Sequence, residues 1–207
     1  MNIVRSADTG RLNRVQLAAL AIAVTLFVQV LVAVAATGTA EAVDPPQNGR
    51  IAFTGRSSGP AGADIWTMAP DGSDPKNLTD SADRLEFDPA WSPDGTRIAF
   101  GFEPAGGGTS GLGVMDADGA GFLQLSSGRG EANPAWSPDS QWIVFEGTGG
   151  ALFRVRADGV GGVAQLTFGA TATPDWSPDG LRIAVSHDVG PTQVIQSLDV
   201  FGGDAIE

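Results

Sequence analysis

Ser186-His187-Asp188 places three residue types of a hydrolytic triad side by side. In a triad the base takes the nucleophile's proton and the acid orients the base, so all three side chains must converge. Adjacent residues of a strand point to opposite faces, so this run predicts no convergence. His187 is the only histidine, which leaves a Ser-His-Asp hydrolase no other base, and it is expected on a surface or loop. Cysteine is absent, which excludes thiolate catalysis, disulfides and thiolate metal sites. No Gly-x-Ser-x-Gly elbow and no phosphate loop occurs. The glycine runs at 106–108 and 147–150 fall between predicted strands, where they supply flexible turns. No catalytic constellation and no cofactor are expected.

Acidic residues are the remaining candidates. Glu86, Asp88, Glu131, Asn133 and Asp175 lie in or beside equivalent predicted strands and could face a common channel. A hard cation needs several oxygens converging at one point, so this set is the one place where such an ion could sit. The alternative is a solvated acidic channel. Asp71, Asp94, Asp118, Asp139, Asp158 and Asp179 stand instead in turn contexts, where Asp accepts bonds from its own backbone.

The elements that position these groups follow from a sentence repeated three times. It runs Asp88-Pro-Ala-Trp-Ser-Pro-Asp-Gly-Thr-Arg-Ile-Ala-Phe100, then Asn133-Pro-Ala-Trp-Ser-Pro-Asp-Ser-Gln-Trp-Ile-Val-Phe145, then Thr173-Pro-Asp-Trp-Ser-Pro-Asp-Gly-Leu-Arg-Ile-Ala-Val185. Trp91, Trp136 and Trp176 are spaced by 45 and 40 residues, the period of one repeated supersecondary unit. In each copy a short strand ends at the Trp. Pro93-Asp94, Pro138-Asp139 and Pro178-Asp179 then turn the chain. Ile98, Phe100 and Phe102 alternate with Ala99 and Gly101, a second strand apolar on both faces. Two further short strands complete an antiparallel meander. Such a sheet needs a neighbour on each face, and stacking sheets about an axis provides it. The repeated Trp should be the wedge between consecutive sheets. Trp142 replaces the basic residue that precedes Ile in the other copies, which marks it as a candidate contact residue.

The string Pro-x-Trp-Ser-Pro-Asp-Gly-x-x-Ile-Ala-Phe, followed by Asp-Ile-Trp-x-Met-x-x-Asp-Gly and Leu-Thr, resembles the TolB-like β-propeller repeat, a relative of the WD-repeat propellers. The resemblance covers residues 50–207. It implies an all-β propeller of four-stranded blades at about 50–79, 86–126, 131–167 and 173–207. The first blade lacks its first strand and the fourth ends in its last. That makes about four blades, fewer than the six usual for this repeat, in an open, truncated or weakly closed ring. An open ring would leave strand edges free to self-associate. The resemblance also implies a role in binding envelope or extracellular proteins or peptides. Alternatives are the regulatory propeller of a serine peptidase without its catalytic domain, and a carbohydrate-active propeller.

Charge and the amino terminus bound the setting. The net charge is −12, which disfavours nucleic acid and anionic lipid. Arg5, Arg11 and Arg14 precede an apolar run over 15–36, and Ala40-Glu41-Ala42 fits a small-x-small cleavage signal. Residues 1–42, with an apolar helix over 15–36, are therefore expected to be either a cleaved secretory signal or an uncleaved anchor in the cytoplasmic membrane. A linker over 43–49 follows. Either way the repeats lie in the periplasm or outside the cell.

Overall fold

The structure, a computed structural model, describes residues 49–56, 62–169, 171–189 and 192–200. All of them belong to the second of two compact units, Asp44–Glu207. The expected helix over 15–36 and nearly all of the linker lie outside the described residues. Among those described, no helix is long and apolar enough to cross a membrane.

The described chain is strand and turn, with one 3-10 turn at Thr148–Gly150. The first sheet holds β1 (Ile51–Arg56), β2 (Ala63–Met68) and β3 (Lys76–Asn77). The second holds β4 (Arg84–Trp91), β5 (Arg97–Pro104), β6 (Gly111–Asp116) and β7 (Leu123–Ser127). The third holds β8 (Ala132–Trp136), β9 (Trp142–Gly147), β10 (Ala151–Arg156) and β11 (Ala164–Gln165). The fourth holds β12 (Thr171–Trp176), β13 (Arg182–Val189) and β14 (Thr192–Asp199). Neighbouring strands follow chain order and every pair is antiparallel. These four antiparallel sheets are the blades of an all-β propeller. The first begins at what is the second strand of the others. The last strand expected near 205–207 lies outside the described residues.

The turn chemistry explains why each repeat folds back. Asp94 accepts hydrogen bonds from the Ser92 hydroxyl (2.6 Å), the Thr96 amide (3.0 Å) and the Thr96 hydroxyl (2.8 Å). Partial burial alone would raise its pKa, but these donors outweigh it and hold the carboxyl below its ordinary value. Asp139 and Asp179 repeat the arrangement, each accepting from the preceding serine and from the amide two residues on. Asp71, Asp118 and Asp158 likewise accept from the amide two residues on. All six turn aspartates hold their own backbone.

Two-faced strands build the core. Ile98, Phe100 and Phe102 join Ile65 and Met115 between the first and second sheets. Ala99, on the opposite face of β5, joins Trp136, Ile143 and Phe145 between the second and third. Val144 and Leu152 meet Ile183, Val185 and Leu198 between the third and fourth. Gly101 is small for a reason: a Cβ there would stand 2.4 Å from the Phe87 ring and 2.9 Å from the Glu131 carbonyl oxygen.

The tryptophans join the sheets in sequence. Trp136 Nε1 donates to the Ala90 carbonyl at 3.0 Å, and Trp176 Nε1 donates to the Ala135 carbonyl at 3.2 Å. Each indole therefore bonds the backbone just before the equivalent Trp of the preceding sheet. Among the described residues Trp91 Nε1 is buried without a hydrogen-bond acceptor.

Candidate functional site

Three strand bulges converge on one surface. The first strands of the second, third and fourth sheets lose ladder register between Phe87 and Ala90, between Ala132 and Ala135, and between Ala172 and Asp175. The residues within are Asp88-Pro89, Asn133-Pro134 and Thr173-Pro174. Proline has no N–H for the ladder, so a strand that contains it must bulge or lie at an edge. The residue before each proline takes left-handed backbone: φ is 51° at Asp88, 48° at Asn133 and 46° at Thr173. Asn and Asp tolerate this region, whereas a β-branched Thr there is an outlier. Such strain is of order 1–3 kcal/mol per residue and persists only where the surroundings impose it.

These six residues line an open cavity of about 320 Å³ at the mouth between the sheets. The Asn133 amide donates to Asp88 Oδ2 at 3.3 Å, which ties one bulge to the next. The Asn133 side chain donates to Glu146 at 3.0 Å, and the Thr173 hydroxyl lies 3.2 Å from that of Ser186. The surface is polar, acidic and rimmed by proline. It offers acceptors and backbone to a partner but no nucleophile with a base.

The four acids and Asn133 expected at the channel do not all reach it. Asp88 and Asn133 do line the mouth. Asp175 is exposed nearby, with its own carboxylate accepting from the Trp176 amide at 2.8 Å. Glu86 and Glu131 do not face solvent at all: they are 0% and 1% exposed. Glu86 lies within β4, opposite Phe102, and Glu131 immediately precedes β8. Glu131 accepts from the Ser110 hydroxyl (2.7 Å), the Ser126 hydroxyl (2.7 Å) and the Arg129 amide (3.1 Å). Its oxygens are spent on fastening the second sheet to the third.

Glu86 is the equivalent residue one joint earlier and is less well served. Neither of its oxygens has a hydrogen-bond donor in good geometry, and Arg84 Nε stands 3.7 Å away. Burial raises its pKa, against opposing pulls from the Thr79 hydroxyl, the Arg84 charge and the Ser81 hydroxyl. Asp64, also buried, adds like charge to the upward push and is itself fixed by Asn77 (2.6 Å) and the Ser81 amide (3.2 Å). Among the described residues no group of three or more His, Asp or Glu is arranged to hold a metal ion.

His187 lies in β13 and is half-buried, so the Ser186-His187-Asp188 run is on a strand as the triad argument required. Ser186 donates its hydroxyl to the Ala172 carbonyl at 3.0 Å rather than toward the imidazole. Sequence reasoning passed over Pro89, Pro134, Pro174 and Thr173 as site residues. The available signal was a polar residue followed by proline inside a predicted strand, three times over.

Trp142 opens β9 and is half-buried. The guanidinium carbons of Arg154 and Arg156 stand 4.4 and 5.3 Å from its ring centre. It borders a second cavity, also of about 320 Å³, between the third and fourth sheets.

Among curated proteins none matches the sequence. Solved structures share the fold at low identity. An oligogalacturonate lyase from Vibrio parahaemolyticus is 14% identical, with a TM-score of 0.59 over 76% of this chain and 47% of its own. A nidogen/laminin complex gives 10% identity and a TM-score of 0.57 over 76% of this chain and 60% of its own. A prolyl endopeptidase gives 18% identity and a TM-score of 0.52 over 76% of this chain and 28% of its own. The chain thus spans less than two thirds of each of these structures. The model of the TolB beta propeller domain matches residues 46–205, and the chain belongs to the TolB beta propeller domain family.

Proposed function

We propose that the chain is a non-catalytic extracytoplasmic propeller module that binds an envelope or extracellular protein or peptide at the bulged mouth. One observation carries the reading: Asp88, Asn133 and Thr173 hold left-handed backbone at the same place in three sheets and together line one open surface. Strain repeated at one site and absent from the sheets' cores fits recognition on a rigid scaffold better than it fits stability. Proline rings and backbone carbonyls suit an extended polypeptide, and the acidic net charge favours a partner with basic residues. The Arg-flanked apolar run and the small-x-small signal support a place outside the cytoplasm.

Site-specific photocrosslinking in cells tests this. A photoreactive residue at Asp88 or Asp175 should yield an adduct with a protein of the envelope, whereas one at Val160, exposed on a turn after β10, should not. Adducts from Val160 with none from the mouth would overturn the reading.

A further inference from the structure

Two successive joints of this molecule are built at equivalent positions, and only one of them is filled. Between the second and third sheets, Arg97 reaches across to the next sheet. Its guanidinium lies 4.9 Å from the centre of the Trp136 ring and donates to the Ser140 carbonyl (2.7 Å) and the Ala157 carbonyl (3.3 Å). The Ser140 hydroxyl accepts from the Asp94 amide at 3.1 Å. Arginine and serine together close that joint.

Between the third and fourth sheets both residues are replaced. Trp142 stands in the register of Arg97, each being the first residue of its sheet's second strand, and Gly180 stands in that of Ser140. The arginine comes instead from β10: Arg154 donates to the Val200 carbonyl at 2.7 Å, the counterpart of the bond that Arg97 makes to Ala157. It approaches from the side and leaves the middle open. The result is the cavity of about 320 Å³ bounded by Pro138, Asp139, Trp142, Arg154, Trp176 and Asp179. That volume is at the small end of ligand pockets, which run from about 300 to 1,000 Å³.

The walls define the chemistry of an occupant. Two indoles and a proline provide flat apolar faces. Asp139 and Asp179 each use Oδ1 for the turn, so one carboxylate oxygen of each is left for a ligand. A cation is poorly suited, because guanidinium groups already lie over Trp142. An anion meets two carboxylates against one arginine. What remains is a neutral ring with an apolar face and hydroxyls around its edge that donate as readily as they accept. We propose that the cavity between the third and fourth sheets is a binding site for a neutral sugar, stacked on Trp176 and held by the outer oxygens of Asp139 and Asp179. The site is separate from the mouth.

Saturation-transfer NMR on the full chain tests this, with glucose, galactose, mannose and N-acetylglucosamine as probes and galacturonate and choline as charged controls. At least one neutral sugar should receive transfer. Trp142→Arg with Gly180→Ser copies the closed joint, and Ser140 shows that serine tolerates this backbone, with φ of 58° against 71° at Gly180. That double variant should abolish transfer while still unfolding cooperatively, at a midpoint lowered because Arg154 and Arg156 lose the Trp142 ring. Asp179→Asn keeps the turn acceptor but changes the outer oxygen, and should weaken binding about tenfold. Absence of transfer from every neutral sugar, stronger transfer from choline or galacturonate, or equal transfer in both variants would each overturn the proposal.

Discussion

Replacing Trp136 by alanine tests the joint on which the fold depends. The side chain is 6% exposed and sits among Ala99, Leu112, Val114, Ile143, Phe145 and Val155. Truncating a buried Trp or Phe to alanine destabilises by about 3–5 kcal/mol. The lost donor to the Ala90 carbonyl adds about 1 kcal/mol, and the lost ring beneath Arg97 roughly 0.5–1 kcal/mol. These contributions overlap, so about 5 kcal/mol is a fair total, against about 5–15 kcal/mol for a whole domain. At about 2–4 °C per kcal/mol for a chain of this size, the melting temperature should fall by about 10–20 °C. Trp91→Ala serves as the internal comparison, because Trp91 Nε1 has no acceptor to lose. It should be milder by about 1 kcal/mol. Circular dichroism during heating and urea titration measures both variants. A Trp136→Ala midpoint within 2–3 °C of the parent, about 1 kcal/mol at most, would refute the wedge.

Two further outcomes follow from the mouth and the buried acid. Thr173→Gly relieves left-handed backbone at a β-branched residue and should raise stability by about 1 kcal/mol in urea titration, while weakening crosslinking from the mouth. Glu86 has a folded pKa above its unfolded value, so the folded state holds the proton more tightly. Its contribution is therefore complete below the ordinary value of 4.5 and is lost as pH rises through the raised folded value. Glu86→Gln should remove that loss, so its stability advantage over the parent should grow from pH 4 to pH 7. An advantage that stays flat across that range would show that the carboxyl is not held against burial. Asp158 acts in a separate window: lowered to about 2 chiefly by the Arg156 hydrogen bond, it matters only as pH falls below the ordinary carboxylate range.

The architecture was legible because its determinants are local. Ser-Pro-Asp turns, the alternation through Ile98, Phe100 and Phe102, and the Trp spacing each act within a few residues. The wedge assignment also came from the sequence, since a large apolar ring at a fixed place in a two-faced sheet has few places to go. Glu86 and Glu131 were misplaced because a carboxylate is ordinarily a solvent-facing residue. The hydroxyls that hold Glu131 come from Ser110 and Ser126, and only the folded sheets bring Ser110 close. The mouth was half visible: proline in a strand announces a bulge, but not that three bulges share one surface. The cavity beside Trp142 was beyond sequence pattern, because it exists only as the difference between two joints that have the same outline.

The indole bond has a bearing on how such a molecule could grow. The third sheet carries both halves of the same fastening, a tryptophan that donates backward and an alanine carbonyl that accepts from ahead. A duplicated repeat thus arrives with its own coupling at each side. Gene duplication could lengthen or shorten the array without any new contact having to be invented at the splice.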